Sequence, residues 1–328
     1  MKNQDSGNFD RRDLSTLEFD KYHRIDRVDI RDLTPLEFFD RYRKPGLPVI
    51  LLGLVNEPDW SLDYLCKQLG DREFLCRFYG RDRQSIDKRQ WDSIGSGIEV
   101  RPMLFSQYAE LIRSGEAHRN DIYMAKCPIR DTPLASAKSL QSWGERLGFD
   151  RSASGLNFWI GPGGHVESLH YDTFDGTLAQ LHGSKRLVLF PPSQLNNLYP
   201  FPLLKHLTCG LKLRSWFSQV YPDRPDFEAF PHLQEALKYR CEVILQPGEV
   251  LYIPAGWWHE VTALGNELVC SVNRFWRVSP PLRTLLQWSA WRTYLGIALS
   301  MPYMLSQLAL ASLKPNRKES IEKIMRMF

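Results

Sequence analysis

Short β-rich runs separated by glycine and proline dominate the chain between about residues 155 and 276. This pattern predicts seven strands, over residues 155–160, 177–181, 186–190, 241–245, 250–253, 259–263 and 268–275. Short strands at this spacing are typical of a sandwich or barrel. The interval 191–239 is rich in proline and aromatic residues and is too long for a turn, so it is predicted to be an insertion that covers one mouth of the barrel.

The first half of the chain has a mixed α and β pattern. Thr34 followed by Pro35 is typical of a helix start, the apolar run 49–52 predicts a buried strand, and a second helix is expected over 61–69. Further strands are predicted at 73–78 and 121–124, and the pattern after residue 280 is helical. The expected organisation is a disordered arm (1–18), one domain (19–280) whose metal-binding core spans about 155–276, and a C-terminal helical extension (281–328).

Composition narrows the class of protein only slightly. The chain has 328 residues, of which 43% are hydrophobic, enough for a full core, and its formal charge of +4 is too small to imply a nucleic-acid partner. Six cysteines without a CxxC pair, and an N-terminus without an apolar core, predict a cytoplasmic protein, or a nuclear one in a eukaryote. Residues 296–313 nearly reach the length of a membrane span, but Pro302 and Gln307 dilute them, so a packed helix is predicted and no membrane contact.

Two histidines and one aspartate are the strongest candidates for chemistry. His170 and Asp172 lie two residues apart, so on an extended strand end both side chains project to one side. His259 closes the segment GEVLYIPAGWWH, in which glycine and proline mark tight turns. Two imidazoles and one carboxylate leave open positions on a six-coordinate ion, which suits non-haem Fe(II) oxygen chemistry. A lone HxD pair is weak evidence for a metal site, because its histidine is more often a core or surface residue. The longer segment that ends at His259 therefore provides most of the evidence.

The segments HYD, AQLHGSKRLVLFPP and GEVLYIPAGWWHEV resemble, in this order, the JmjC and cupin-like family of 2-oxoglutarate oxygenases. Within it, the chain is most similar to the factor-inhibiting-HIF type of asparaginyl hydroxylase and to related tRNA-modifying and small JmjC hydroxylases. The resemblance covers about residues 30–278 and implies a mainly β fold: a double-stranded β-helix (a jelly roll of the cupin and JmjC type) with N-terminal α/β elements and C-terminal helices. It also implies Fe(II) held by His170, Asp172 and His259, with 2-oxoglutarate as cosubstrate.

The same resemblance assigns residues to the cosubstrate. Lys185 matches the lysine that binds the distal carboxylate of 2-oxoglutarate, although from its position alone it would be a solvated strand-end lysine. Arg186 is assigned to the outer face by alternation. Tyr123 resembles a tyrosine that adds a hydroxyl to this carboxylate, and a core role is the alternative. Asn273 matches an asparagine near the iron and the C1 carboxylate.

Two positions depart from the family pattern. Glu167 lies three residues before His170, where the family usually has threonine or serine, and it would repel the distal carboxylate unless it is protonated, turned away or paired with a cation such as Lys185. Ser168 offers a hydroxyl in its place. Gly176 stands where the asparaginyl hydroxylases carry an asparagine.

The implied reaction is hydroxylation of a protein side chain, presented by an extended segment at the barrel mouth. Hydroxylation is favoured over demethylation because the nearest resemblance is to hydroxylases and no histone-reader module is recognised. The aromatic residues near the predicted ligands either line the site or belong to the core: Tyr171, Phe174, Trp257 and Trp258.

Other functions remain open. An RNA substrate is suggested by basic residues near Phe78 and Tyr79, but interspersed acids favour a solvated surface. These basic residues are Arg77, Arg81, Arg83, Lys88 and Arg89. A third hypothesis, motivated by Glu167, is a non-catalytic metal-binding protein with impaired 2-oxoglutarate binding. A zinc or manganese cupin enzyme is a fourth.

The C-terminal extension predicts an apolar surface. Its large side chains are Leu285, Leu286, Trp288, Trp291, Tyr294 and Leu295. They resemble the dimerising C-terminal helices of the asparaginyl hydroxylases, so a homodimer is one expectation. Packing back on the same chain explains the pattern equally well.

Overall fold

The structure, a computed structural model, describes residues 24–94 and 98–325. The predicted disordered arm, residues 1–18, therefore lies outside the described residues. The strands are β1 Asp26–Asp29, β2 Val49–Leu52, β3 Glu73–Phe78, β4 Glu99–Leu104, β5 Ile122–Pro128, β6 Asn157–Pro162, β7 Val166–Tyr171, β8 Asp175–His182, β9 Lys185–Phe190, β10 Cys241–Leu245, β11 Val250–Ile253, β12 Trp258–Ala263 and β13 Leu268–Trp276. The α-helices are α1 Pro35–Phe38, α2 Leu62–Leu69, α3 Phe105–Arg113, α4 Glu116–Asn120, α5 Lys138–Arg146, α6 Lys205–Cys209, α7 Leu233–Leu237, α8 Leu282–Leu285, α9 Trp288–Ser312 and α10 Arg317–Met325.

Two sheets form the body of the protein. One has nine strands in the order β1-β2-β11-β8-β13-β6-β5-β3-β4, and the other has four in the order β10-β9-β12-β7. Successive strands from β6 onward are divided between these two sheets, which is the winding of a double-stranded β-helix. Strands β1 to β5 widen the larger sheet. The predicted mainly β, jelly-roll fold with N-terminal α/β elements and C-terminal helices is confirmed.

Most predicted elements form where the pattern placed them. Strands β3, β10 and β11 have the predicted bounds, and Thr34 caps α1 with a reciprocal contact from Glu37. Strand β7 was missed because its sequence, VESLHY, does not alternate apolar and polar residues in the usual way. This strand forms part of the cavity wall, so polar side chains occupy its inward positions.

The insertion over residues 191–239 covers the outer edge of β7, and its predicted cover of one mouth of the barrel stays a prediction. The Ser218 amide donates to the Leu169 carbonyl at 2.9 Å, and the Tyr171 amide donates to the Trp216 carbonyl at 3.1 Å. Arg186 lies on the outer face, as alternation predicted, and its guanidinium pairs with Asp223 of the insertion at 2.6 Å. The insertion is thus fastened to both strand edge and sheet face.

Helix α9 packs on the insertion through small residues. A side chain at Gly296 would collide with His206 and Ser215, with contacts of 2.6 Å to both, so the glycine permits close approach. The six apolar C-terminal residues named above, four of which lie on α9, are between 44% and 77% exposed, so packing against the other described residues does not cover them. Among the described residues, α9 is also the one helix whose length and apolar composition would suffice to cross a membrane.

Candidate metal centre

Three side chains converge where β7 and β12 pair. His170 lies directly opposite His259 in the antiparallel register, and the chain leaves β7 to reach Asp172 two residues later. One ligand atom from each of the three residues lies within 4.8 Å of the other two. His259 Nε2 is 3.7 Å from Asp172 Oδ2, and the two imidazole centroids are 4.3 Å apart. Two nitrogen donors and a carboxylate at these separations fit a divalent metal ion with vacant positions.

Backbone carbonyls fix the orientation of both imidazoles. His170 Nδ1 is 2.8 Å from the Ser168 carbonyl, and His259 Nδ1 is 3.1 Å from the Trp257 carbonyl. A carbonyl only accepts hydrogen bonds, so each Nδ1 carries the proton and each Nε2 lone pair is directed to the shared point. Burial, reinforced by the neighbouring His170, lowers the pKa of His259 to about 4. His259 is therefore neutral and ready to bind a metal at physiological pH.

A buried ion cluster positions the turns that carry these ligands. Asp175 is fully buried and accepts a hydrogen bond from the Ala255 amide at 2.9 Å, in the turn that leads to His259. Its other carboxylate oxygen lies 3.9 Å from Arg43, and Arg283 of α8 donates to the first. Burial is the main cause that raises the pKa of Asp175, opposed by Arg283. The cluster thus joins the Asp172 loop, the His259 turn and the C-terminal extension.

A cavity extends inward from the three converging side chains, and Lys185 lies in its wall. Lys185 is 4% exposed, and its ammonium donates to Tyr123 Oη at 3.3 Å and to Ser271 Oγ at 2.5 Å. Burial lowers the pKa of Lys185 to about 8, partly opposed by Cys270 and Glu167. A cation at the inner wall of a cavity suits a ligand that ends in a carboxylate.

Tyr123 and Asn273 also line this cavity. Tyr123 is 2% exposed, and Gly161 makes room for its ring, since a side chain at Gly161 would overlap it at 1.9 Å. Asn273 accepts a hydrogen bond from Trp159 Nε1 at 3.0 Å, which holds its amide at the wall. The structure therefore brings Lys185, Tyr123 and Asn273 into the same cavity as the predicted metal ligands.

Ser168 differs in position from its neighbour Glu167. Glu167 and Gly176 are among the residues that line the cavity, whereas the buried Ser168 is not one of the described residues in its wall. The pairing of β7 with β12 shifts register between Glu167 and His170, and this irregularity breaks the alternation that would put Ser168 on the same side as His170. The expectation that the Ser168 hydroxyl replaces the family's threonine or serine stays a prediction. Ser168 contributes its backbone carbonyl, which orients His170.

Among the cavity side chains that sequence reasoning missed are His165 and Arg214. His165 precedes β7 and forms a buried pair with Asp121, with 2.8 Å between Nδ1 and Oδ1. Arg214 reaches the cavity from the insertion, and burial lowers its pKa. No motif marks either residue, because His165 is 44 positions from Asp121 and Arg214 lies in an irregular segment.

The predicted aromatic lining lies mostly in the core instead. Tyr171, Trp257 and Trp258 are at most 2% exposed and are not among the described residues of the cavity wall, whereas Phe174 is 41% exposed. The cavity aromatics come from other positions: Trp159, Trp216, Phe217 and Phe275.

The basic segment considered for RNA binding is largely engaged within the protein. Arg81 donates to the carbonyls of Gly163 and Gly164, and Arg83 donates to the Ser93 and Ile94 carbonyls. Lys88 is 1% exposed and donates to the Val220 carbonyl, while Arg89 pairs with Asp87. These contacts give the basic side chains structural roles that do not require an RNA ligand.

Comparison with known proteins identifies relatives. A family model described as Cupin-like domain matches residues 35–281. Lysine-specific demethylase JMJ30 of Arabidopsis thaliana is 32% identical over 271 residues, 76% of this chain and 54% of that protein. Arginine-specific demethylase JMJ22 of the same plant is 30% identical over 77% of this chain and 47% of its own length. The tRNA wybutosine-synthesizing protein 5 of Gallus gallus is 27% identical over 71% of each chain. The chain thus spans about half the length of these two demethylases.

Proposed function

The chain belongs to the Cupin-like domain family, and from this premise we propose that it is an Fe(II)- and 2-oxoglutarate-dependent oxygenase. The observation that carries the proposal is one cavity in which His170, Asp172 and His259 converge and Lys185 lies in the wall. The family is consistent with it, since relatives include proteins named as demethylases and as a tRNA-modifying protein.

The chain's own residues have distinct roles in this proposal. His170, Asp172 and His259 would hold the metal on one face, leaving the other positions to ligands. Lys185 and Tyr123 would bind the distal carboxylate, and Asn273 would contact groups near the metal. When bound, Fe(II) and 2-oxoglutarate would allow dioxygen to hydroxylate a substrate C–H bond, with one oxygen atom going to the substrate and the other to 2-oxoglutarate as it is converted to succinate and carbon dioxide. The protein positions the reactants and, with the insertion over β7, excludes water.

Hydroxylation of a protein side chain is the reaction we favour. Demethylation of an N-methyl group begins with the same C–H hydroxylation, so relatives named as demethylases support the shared step. The apolar aromatic lining suits a side chain that enters from an extended peptide. The finer assignment to the factor-inhibiting-HIF type, and the cytoplasmic location, remain predictions.

Two alternative functions are each supported by one observation. An RNA substrate is favoured by the chicken tRNA wybutosine-synthesizing protein, which matches over equal shares of both chains. A non-catalytic metal-binding protein is favoured by Glu167 in the cavity wall. Incubation with Fe(II), ascorbate, 2-oxoglutarate and candidate peptides or RNA discriminates among them. Mass spectrometry would show gain of one oxygen on peptide, loss of methyl from peptide, or modified RNA, and unconverted 2-oxoglutarate would favour the non-catalytic protein.

Replacing Lys185 tests the cosubstrate site. A Lys185→Met variant is expected to bind 2-oxoglutarate about 10- to 100-fold more weakly, because a hydrogen bond to a charged group contributes roughly 1.5–3 kcal/mol. Calorimetric titration and succinate formation would measure the loss. The matched control is Arg186→Met, one residue further along β9 on the outer face, which should bind normally. Equal weakening in both variants would contradict the assignment.

We also propose that the exposed face of α8 and α9 is a homodimer interface. Its apolar side chains follow one another along α8, the connecting Leu286 and α9, and Leu286 and Trp288 are 77% and 54% exposed. Sedimentation should show a dimer at micromolar concentration, and Leu286→Glu combined with Trp288→Glu should weaken it more than about 100-fold by burying unpaired charge. Leu36→Glu, at a residue 70% exposed elsewhere, is the control. A monomeric wild-type protein at this concentration would remove the proposal.

A further inference from the structure

His165 lies in the cavity wall and pairs with Asp121, but this pair has no role in the chemistry described so far. Both side chains are buried, at 5% and 3% exposure, and Nδ1 of His165 lies 2.8 Å from the Asp121 carboxylate. An ionised carboxylate only accepts hydrogen bonds, so Nδ1 carries a proton. Among the described residues, none forms a hydrogen bond with the buried Nε2 of His165. Leaving a buried nitrogen without a hydrogen-bond partner is unfavourable, and a ligand in the cavity would offset this cost.

The His165 imidazole is connected to Lys185 through Tyr123. Its ring stacks on Tyr123 with 3.8 Å between centroids and 14° between planes. Tyr123 Oη in turn accepts the hydrogen bond from Lys185. All three residues line the cavity, so one ligand end can meet the ammonium, the phenol and the imidazole edge together.

The formal charges around this part of the cavity identify what the imidazole would do. Lys126, Lys185 and Arg214 contribute three positive charges, whereas Glu167, Asp172 and Asp121 contribute three negative charges, so the set carries no net charge before any ligand binds. A ligand carboxylate would add one negative charge. A proton on His165 Nε2 offsets this addition and converts an acceptor, which would repel a carboxylate, into a donor that binds it.

We infer that His165 is a further carboxylate-binding residue, and that the distal carboxylate of 2-oxoglutarate binds together with one proton taken up by the Asp121–His165 pair. The inference rests on the proposed function. It also explains how a cavity with Glu167 in its wall accepts an anionic ligand. Asp121 supplies the counter-charge to the imidazolium, and Tyr123 packs against its face.

Other charged groups share the cavity. The titratable and charged side chains that contact the His165 ring or line the cavity are Tyr79, Asp121, Tyr123, Lys126, Glu167, His170, Asp172, Lys185, Arg214 and His259. Lys185 is the main competitor for a proton, since burial lowers its pKa to about 8. Measurements below this pH keep Lys185 largely charged, so that proton uptake there reports on another group.

The test is calorimetric titration of 2-oxoglutarate into the full-length, Fe(II)-loaded protein without oxygen, in buffers of different ionisation enthalpy and over a range of pH below 8. Because one proton binds with the ligand, the affinity of the wild-type protein should fall up to about tenfold for each unit rise in pH. His165→Gln keeps a donor that does not titrate, so its affinity should be independent of pH. His182→Gln, at a partly exposed histidine paired with Asp59, is the matched control and should keep the wild-type slope.

A second variant covers the case in which His165→Gln does not fold. Glu167→Gln removes one negative charge from the wall, so it should bind 2-oxoglutarate more tightly at the upper end of the pH range and with a smaller slope. An unchanged slope in His165→Gln, or unchanged affinity and slope in Glu167→Gln, would overturn the inference while leaving the oxygenase proposal intact. Absence of 2-oxoglutarate binding to the wild-type protein at every pH would contradict both.

Discussion

An Asp172→Ala variant is expected to lose metal binding and turnover together. Removing the carboxylate leaves two imidazoles, and the 3.7 Å approach of Asp172 to His259 Nε2 shows that the carboxylate is directed at the shared point. Residues that only orient a metal ligand contribute about 10- to 100-fold in affinity, so loss of a ligand itself should cost at least about 100-fold. Fe(II) binding measured by calorimetry without oxygen, together with succinate formation, checks both effects.

The control for this variant is Asp59→Ala. Asp59 also lies beside a histidine, His182, at 2.6 Å, but the pair is at the surface and apart from the cavity-lining residues. Its removal should change neither metal affinity nor turnover. If Asp172→Ala bound Fe(II) as tightly as the wild-type protein, the assignment of the metal centre would be wrong, whatever happened to activity.

An Asp175→Ala variant is expected to lose about 3–5 kcal/mol of unfolding free energy, because it leaves two buried guanidinium groups without their counter-charge. Arg43 and Arg283 are 4% and 10% exposed at their side chains, so water cannot replace the lost carboxylate. The variant also loses the bond from the Ala255 amide, which positions the turn before His259. Urea unfolding would measure the loss of stability, and weaker Fe(II) binding should accompany it.

Asp223→Ala is the matched comparison. Asp223 also accepts from two arginines, Arg186 and Arg240, but it is 46% exposed, and surface ion pairs contribute only about 0–1 kcal/mol. The expected order is therefore a large loss for Asp175→Ala and a small one for Asp223→Ala. Similar unfolding midpoints for Asp175→Ala and the wild-type protein would show that the buried cluster is not stabilising.

Local residue spacing predicts one part of the candidate metal centre. An interval of two residues on a strand puts His170 and Asp172 on one side regardless of the rest of the fold, so this half of the site could be predicted. The same alternation would put Ser168, and not Glu167, on the side of His170, but the register shift between β7 and β12 interrupts it. This shift could not be predicted, because it depends on the pairing with β12 and β7 has no regular apolar alternation that would reveal it.

For the basic residues considered for RNA binding, local sequence did not reveal the structural role. Arg81 and Arg83 resemble a phosphate-binding segment in the sequence, yet their donors meet backbone carbonyls of Gly163, Gly164, Ser93 and Ile94. Those carbonyls come from loops up to 83 residues away. A charge pattern cannot distinguish a donor that faces solvent from one that satisfies a distant loop, since both need the same side chain.

The sequence by itself determined the class of fold, the elements with strong local periodicity and the residue types able to bind a metal, because these depend on neighbours within a few positions. Only the tertiary structure decided that His259 pairs with His170 across two strands, that Asp121 meets His165, and that the apolar face of α9 is left exposed. Periodicity specifies which side of an element is apolar or polar. Which sides then meet depends on long-range packing among all the elements together.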